Sequence, residues 1–375
     1  MPTKKGNEPA VQLKNHYFTD LAKASLSGDH KKVQLVLLSA IRSVKKSSPD
    51  YAGELGHLLT AYSANPEALR RSGSSPVPED SEVGMPLLNF PTYKKEVAPI
   101  YETNTNKKIQ HFIKERHAMD ILLAQGVEPP NSLLLKGKSG TGKTTLASWI
   151  ASELNLPFVV LDLAVTISSY LGKTGANLKR CLDYARTTPC VFLLDEFDSI
   201  AKRRDVTDDV GELKRVVTVL LKELEDLPFS SVIIAATNHP ELLDPAIERR
   251  FNLSIEIPKP NKNTRKQLFL SKLGDYATHL DESTLECITS ILESETGSGI
   301  EDIAKASLRR HIIDNTPISK GLFEVLVERG GLNISKDQIS TTIQILKRET
   351  QLTVRDIASI VGLSSSGVQH HLKKK

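Results

Sequence analysis

The run GKSGTGKTT at residues 137–145, placed directly behind the apolar stretch SLLLK at 132–136, restricts this chain more than any other feature. It matches G-x-x-x-x-G-K-[S/T], a pattern set by what phosphate oxygens need. Several backbone N–H groups must converge on them. Gly137, Gly140 and Gly142 allow that close approach and the backbone angles it demands. Ser139, Thr141 and Thr145 complete the cradle. Lys143 offers a mobile ammonium to the terminal phosphates, and the Thr144 hydroxyl is a ligand for Mg2+. A helix starting near Thr144 directs its positive end at the same anion. Such a loop requires a strand before it and a helix after it, and both are expected here.

An acidic pair follows. In VFLLDEFDSI the apolar residues Val191 to Leu194 predict a buried strand that ends at Asp195. That carboxylate would hold the Mg2+ shell. Glu196 would orient and deprotonate the attacking water, a poor nucleophile at neutral pH. Asn238 ends another apolar run, SVIIAAT, where its amide could meet a γ-phosphate or the lytic water. Taken alone, an Asn at a strand end is a turn residue. Arg249 and Arg250 follow a short helix-like DPAIE and precede Phe251. Paired arginines commonly mark a solvated face. Here they stand where a guanidinium could reach a neighbouring subunit's nucleotide and stabilise transition-state charge.

Apolar runs at 132–136, 157–163, 190–195 and 231–237, and the alternating NLSIEI at 252–257, are separated by helical stretches. That alternation predicts an α/β fold, a parallel sheet with helices on both faces, over residues 105–258. Ligands on such sheets sit at the carboxyl ends of strands, where the residues above fall. Residues 259–330 are helical. Residues 1–64 form a helical N-terminal segment, in which Val33, Val36, Leu37, Ala40, Ile41 and Val44 make one apolar stripe behind an N-cap at Asp29. Its use is either docking a partner or packing on the main domain. A breaker-rich linker occupies 65–104.

With these motifs in order, the chain resembles the AAA ATPases over about residues 118–310. The segments LLAQGVEPPNSLLLKGKSGTGKTTLA, VFLLDEFDSIAKRRD and VVTVLLKELEDLPFSSVIIAATNHPELLDPAIERRF carry the likeness. The resemblance implies a phosphate-loop α/β subdomain with a helical lid, and ATP with Mg2+ bound at the interfaces of a ring, usually a hexamer. It makes Lys143 and Thr144 Walker A residues, Asp195 and Glu196 the Walker B pair, Asn238 sensor 1, and Arg249 with Arg250 arginine fingers. The RRF ending is similar to the severing and remodelling branch. Tyr170-Leu171-Gly172 resembles the first pore loop, whose aromatic ring grips a protein substrate in the family; otherwise Tyr170 packs on its own subunit. TGSGIEDIAKAS at 296–307 is similar to the lid's adenine-contacting segment, with Gly299-Ile300 where the family has Ser-Gly. Lys138-Ser139 replace its usual Pro-Pro.

Residues 331–375 predict a helix-turn-helix. Ile339, Ile343 and Leu346 make a first stripe. Thr353 with Asp356 caps a second helix, and Gly362-Leu363-Ser364 turns into a third, Ser365 to Lys374. The segment resembles DNA-binding parts of bacterial repressors. Gln369, His370 and Lys373 would then face a groove or phosphates, with Lys374 and Lys375 on the backbone. A winged helix would add a β-wing, and Lys375 is the last residue. The segment therefore serves as a bare DNA-binding module within 333–375 or as a protein contact.

Composition narrows the function classes. A formal net charge of +4 permits an anionic partner without demanding one. No apolar run suits a membrane span or a signal peptide, which points to a cytoplasmic protein. Cys181, Cys190 and Cys287 fit a reducing compartment, and no Cys/His spacing suits a metal site. The leading expectation is an ATPase that remodels or threads a protein substrate. The alternatives are a DNA-associated ATPase recruited through its C-terminal helices and an ATP-binding assembly switch, against which Glu196 argues.

Overall fold

The computed structural model describes residues 15–26, 30–64, 78, 87–91, 98–169, 174–199, 220, 222–224, 226–329, 339–349 and 353–373. Its chain divides into two compact units. One comprises Met1–Ala98, Lys107–Lys136 and Lys143–Glu256; the other comprises Pro99–Asn106, Gly137–Gly142 and Ile257–Lys375.

The first unit is built on five strands, β1 (Ser132–Lys136), β2 (Phe158–Asp162), β3 (Val191–Asp195), β4 (Val232–Thr237) and β5 (Leu253–Glu256). They lie in the order β2-β3-β4-β1-β5, every neighbouring pair parallel. Parallel strands covered on both faces become continuous apolar runs, so the expected runs and the observed strands agree within a residue at each end. β4 is buried along its whole length, whereas β5, at the edge, keeps only Ile255 fully covered. The two ends of the chain's strand set are fastened by one asparagine. Asn252 Oδ1 accepts from the Asn131 and Ser132 N–H groups at 2.9 and 3.0 Å, and Ser132 Oγ accepts from Asn252 N–H at 2.9 Å. Leu134, Val159, Phe192, Leu194 and Ile233 meet Leu178 and Leu182 in one core.

Helices α1 (Asn15–Leu26), α2 (His30–Val44) and α3 (Pro49–Ala64) belong to this unit, with α4 (Thr103–His117) from Lys107 onward and α5 (Met119–Ala124). Leu38, Ile41, Val44 and Leu59 share a core with Leu123 and Phe229. The expected stripe buries Ala40, Ile41 and Val44 and packs Leu37 against the same core, while Val33 and Val36 are half-buried and Lys31 and Gln34 are buried beside them. Both polar side chains have partners that allow this. The Lys31 ammonium lies 3.5 Å from the centre of the Phe229 ring, and Gln34 Oε1 accepts from the Phe229 N–H at 3.1 Å. Burial lowers the Lys31 ammonium to about 8, a drop that Glu128 and Asp226 limit. Gly56 is needed where α3 meets α5, because a Cβ there would sit 2.6 Å from the Ala124 Cα. Asp29 lies outside the described residues.

Helices α6 (Lys143–Glu153), α7 (Leu163–Ser169), α8 (Thr174–Thr187) and the short α9 (Pro245–Glu248) complete the first unit. The cysteines are free and buried, and burial pushes the Cys181 and Cys190 thiols up to about 12. They are therefore packing residues, inert as nucleophiles at neutral pH.

The second unit is helical: α10 (Lys262–Leu273), α11 (Glu282–Ile291), α12 (Gly297–Asp314), α13 (Ile318–Glu328), α14 (Ile339–Glu349), α15 (Val354–Val361) and α16 (Ser365–Lys373). Asn261, Asp281 and Thr296 cap their helices by accepting from Thr264, Thr284 and Gly299 N–H groups at 2.9, 2.6 and 3.4 Å. Phe269, Ile288, Ile303 and Phe323 share one core with Ile343, Leu346, Ile357 and Val368. The last three helices are thus seated on the preceding four by burial of apolar side chains. Arg348 adds an ion pair to Asp281 at 2.6 Å. Gly362, at φ 68°, turns the chain into α16, whose cap Ser364 accepts from Gly367 N–H at 3.1 Å. Among the described residues no helix is long and apolar enough to cross a membrane.

Candidate nucleotide site

In the first unit the carboxyl ends of β3 and β4 and the start of α6 place four of the expected residues together. Lys143 Nζ donates to Asn238 Oδ1 at 2.6 Å, and Thr144 Oγ1 donates to Asp195 Oδ2 at 3.1 Å. Lys143 is buried and Thr144 is exposed. Burial lowers the Lys143 ammonium from its ordinary range, and the nearby Asp195 and Asp198 carboxylates oppose that shift. The ammonium faces a carboxylate pair and an amide, a setting in which it can exchange partners when an anion arrives.

Thr144 and Asp195 converge as two oxygen donors, the kind that Mg2+ takes alongside waters and phosphate oxygens. These residues fit that ion. When bound, Mg2+ would neutralise charge on phosphate oxygens. Among the described residues no cluster of three or more His, Cys, Asp or Glu gathers for a metal held by protein alone.

Glu196 follows Asp195 with φ 51°, in the left-handed region that an L side chain occupies at a cost of about 1–3 kcal/mol. Three hydrogen bonds hold the turn. The Glu196 N–H donates to Asp195 Oδ1 at 2.9 Å, the Phe197 N–H to the Ala236 carbonyl at 2.8 Å, and the Ser199 N–H to the Glu196 carbonyl at 2.8 Å. The bend leaves Glu196 exposed beside buried Phe197 and Asp198. Asp198 was not among the expected residues. Its Oδ1 accepts from the Asn238 N–H at 3.1 Å and from Thr237 Oγ1 at 3.2 Å, which fixes the backbone that carries the Asn238 amide. The available signal was the DEFD spacing, which returns an acidic group to the Asp195 neighbourhood within one turn.

Arg249 and Arg250 are both exposed and stand at the end of α9. Asp244 caps that helix at 2.8 Å, Glu248 pairs with Lys136 of β1 at 2.7 Å, and Phe251 packs edge-on against Phe197 at 5.9 Å. The two arginines therefore follow a helix end that these contacts hold in place.

Residues 137–142 of the phosphate loop group with the second unit. Gly140 (φ 76°) and Gly142 (φ 92°) occupy angles that favour glycine. Thr296 and Ser298 crowd Gly140 so closely that a Cβ would meet the Thr296 hydroxyl at 2.6 Å. The Ser298 N–H donates to the Gly140 carbonyl at 3.0 Å, and Tyr101 Oη donates to the Gly142 carbonyl at 2.7 Å. Ile300, at the point of departure noted in the lid segment, is a core residue with no exposed surface. Tyr101 was not legible as functional, since it lies in a breaker-rich stretch without periodicity. Tyr170 and Leu171 lie outside the described residues, as do Lys374 and Lys375.

Comparison with known proteins gives a consistent picture. Residues 133–259 match the family described as ATPase family associated with various cellular activities (AAA). The chain is similar to an uncharacterized AAA family ATPase, y4kL, of Sinorhizobium fredii, at 30% identity over 240 residues, which cover 61% of this chain and 72% of that protein. It is 34% identical over 191 residues to the 26S proteasome regulatory subunit S10B homolog B of Arabidopsis thaliana; that match covers 49% of this chain and about half, 48%, of the relative. The crystal structure of the FIGL-1 AAA domain in complex with ADP superposes with a TM-score of 0.51 at 19% identity, covering 76% of this chain and 98% of that one, which shows a shared fold.

Proposed function

Because the chain belongs to the AAA family of ATPases, we propose that its hydrolysis of ATP takes place at composite sites in a homo-oligomeric ring, and that the cycle remodels or threads a protein substrate. The observation that carries the first half is the convergence of Lys143, Thr144, Asp195 and Asn238 beside Glu196 at the carboxyl ends of β3 and β4. Lys143, passed from Asn238 to the γ-phosphate, would neutralise charge there. Glu196 would take the proton of the attacking water. Asn238, freed of the lysine, could bind that water or the phosphate, with Asp198 holding its backbone. Mg2+ belongs on Thr144 and Asp195. Arg249 and Arg250 complete the neighbour's site, and a hexamer is the ring that the family likeness supports. In this reading 1–64, 105–258, 259–330 and 331–375 are the working modules, with 65–104 connecting the first to the second.

A protein substrate is supported by the relative named as a 26S proteasome regulatory subunit. Tyr170 with Leu171 is the residue pair to test. Tyr170→Ala is expected to keep ATP hydrolysis within about twofold and to lose most substrate unfolding, since an aromatic ring supplies the sequence-tolerant grip. The check is ATPase rate beside unfolding of a fluorescent protein captured by an ATP-trapped variant. Unchanged unfolding would remove the threading half of the proposal.

A second reading, DNA recruitment, rests on one observation. The exposed side of α16 carries Ser365, Ser366, Gln369, His370 and Lys373, while Val368 is buried against the neighbouring helices. That face has the composition of a recognition helix. The full chain is expected to bind duplex DNA with an affinity that falls steeply with salt, by counterion release, and Lys373→Glu should flatten the dependence. No binding at low salt would exclude this use.

A further inference from the structure

Resting on the reading of Gly137–Thr145 as the phosphate loop, we propose that Tyr101 is a positioning residue for phosphate binding, acting through the carbonyl of Gly142. A trans peptide is planar, so its carbonyl and the next residue's N–H point in opposite directions. The Tyr101 hydroxyl donates to the Gly142 carbonyl at 2.7 Å and fixes that peptide plane. The N–H so aimed is that of Lys143, the first residue of α6, one of the donors that a helix N-terminus presents to an anion.

The hold is specific to this pair of residues. Gly142 has φ 92°, which a side chain would strain, and a Cβ there would stand 3.0 Å from the Tyr101 oxygen. Tyr101 is itself secured, since Asn106 Nδ2 donates to its carbonyl at 3.0 Å. The Asn106 N–H donates to the Glu102 carbonyl at 2.9 Å, which starts α4 just behind it. Around the ring, Ile100, Thr105, Thr141, Thr264 and Leu268 leave a recess of about 20 Å³, room for little more than one water. The ring is therefore held by packing, and the hydroxyl by the loop. On the other side of the same loop, the Ser298 N–H holds the Gly140 carbonyl at 3.0 Å. Two carbonyls of the loop are thus held by donors from two separate segments; the Thr141 N–H behind the first donates to the Lys138 carbonyl at 3.3 Å, so the N–H that this hold orients for phosphate is that of Lys143.

The test separates phosphate binding from general damage. ADP and adenosine are titrated into full-length wild type and Tyr101→Phe, ADP by calorimetry and adenosine by ligand-observed NMR. Removing one positioning hydrogen bond is expected to weaken ADP about threefold to tenfold and to leave adenosine unchanged, because adenosine carries no phosphate. Tyr101→Ala, which also empties the packed ring site, should weaken ADP further. Equal ADP affinity in wild type and Tyr101→Phe would overturn the proposal. So would a parallel loss for ADP and adenosine, the signature of a structural role. Wild type that fails to bind ADP would instead remove the phosphate-loop reading itself, and this proposal with it.

Discussion

Glu196→Gln chains are expected to bind ATP about as tightly as wild type and to hydrolyse it about 10²–10⁴ times more slowly, the usual contribution of a positioned general base. The reason is local. The amide keeps the size and the hydrogen-bonding capacity of the carboxylate but cannot take the water's proton. The backbone turn survives, since its three hydrogen bonds use the Asp195 carboxylate and main-chain groups, with no part of the Glu196 side chain. Lys143, Thr144 and Asp195 are untouched, so the triphosphate stays bound. Equilibrium binding of ATP and a single-turnover hydrolysis assay check the two halves separately. Hydrolysis at the wild-type rate would remove Glu196 from the role of base. A joint loss of binding would show that the strained turn needs the carboxylate for folding.

Changing Arg249 and Arg250 together to Ala is expected to lower ATP turnover about 10³-fold or more, the range that a trans guanidinium supplies in phosphoryl transfer. Both side chains are exposed, so little folding stability should be lost. The decisive experiment is mixing. Glu196→Gln chains keep the arginines and lack the base; the arginine-less chains keep the base and lack the arginines. If each site draws its arginines from a neighbour, about a quarter of the interfaces in a random equal mixture regain both. Turnover of the mixture should then far exceed that of either variant alone. If the arginines serve their own subunit, mixing two inactive chains recovers nothing, and the composite site is wrong.

Some of this was written in short stretches of sequence, and some was not. The strands were legible because parallel strands buried on both faces become unbroken apolar runs, as VFLLD and VIIAAT show. The N-terminal stripe was legible as a helix with its core face at Ala40, Ile41 and Val44, but the burial of two polar residues near its start was not. Period alone cannot foresee that Lys31 finds the Phe229 ring and Gln34 the Phe229 backbone, almost 200 residues along. Asp198 and Tyr101 escaped for a related reason. Each meets a partner brought close by the fold, Asn238 for one and Gly142 for the other.

The sequence by itself determined the chemistry of the phosphate loop, the strand-forming segments and the acidic pair, because each depends on neighbours within a few positions and on backbone preferences that local residues set. Tertiary structure alone decided the rest. Strand order placed β4 between β3 and β1, which brings Asn238 to Lys143 across 95 positions of chain. The fold also decided that residues 137–142 group with Tyr101 and Ser298. Such pairings are fixed by the free energy of burying whole faces at once, and no local pattern records that cooperative quantity.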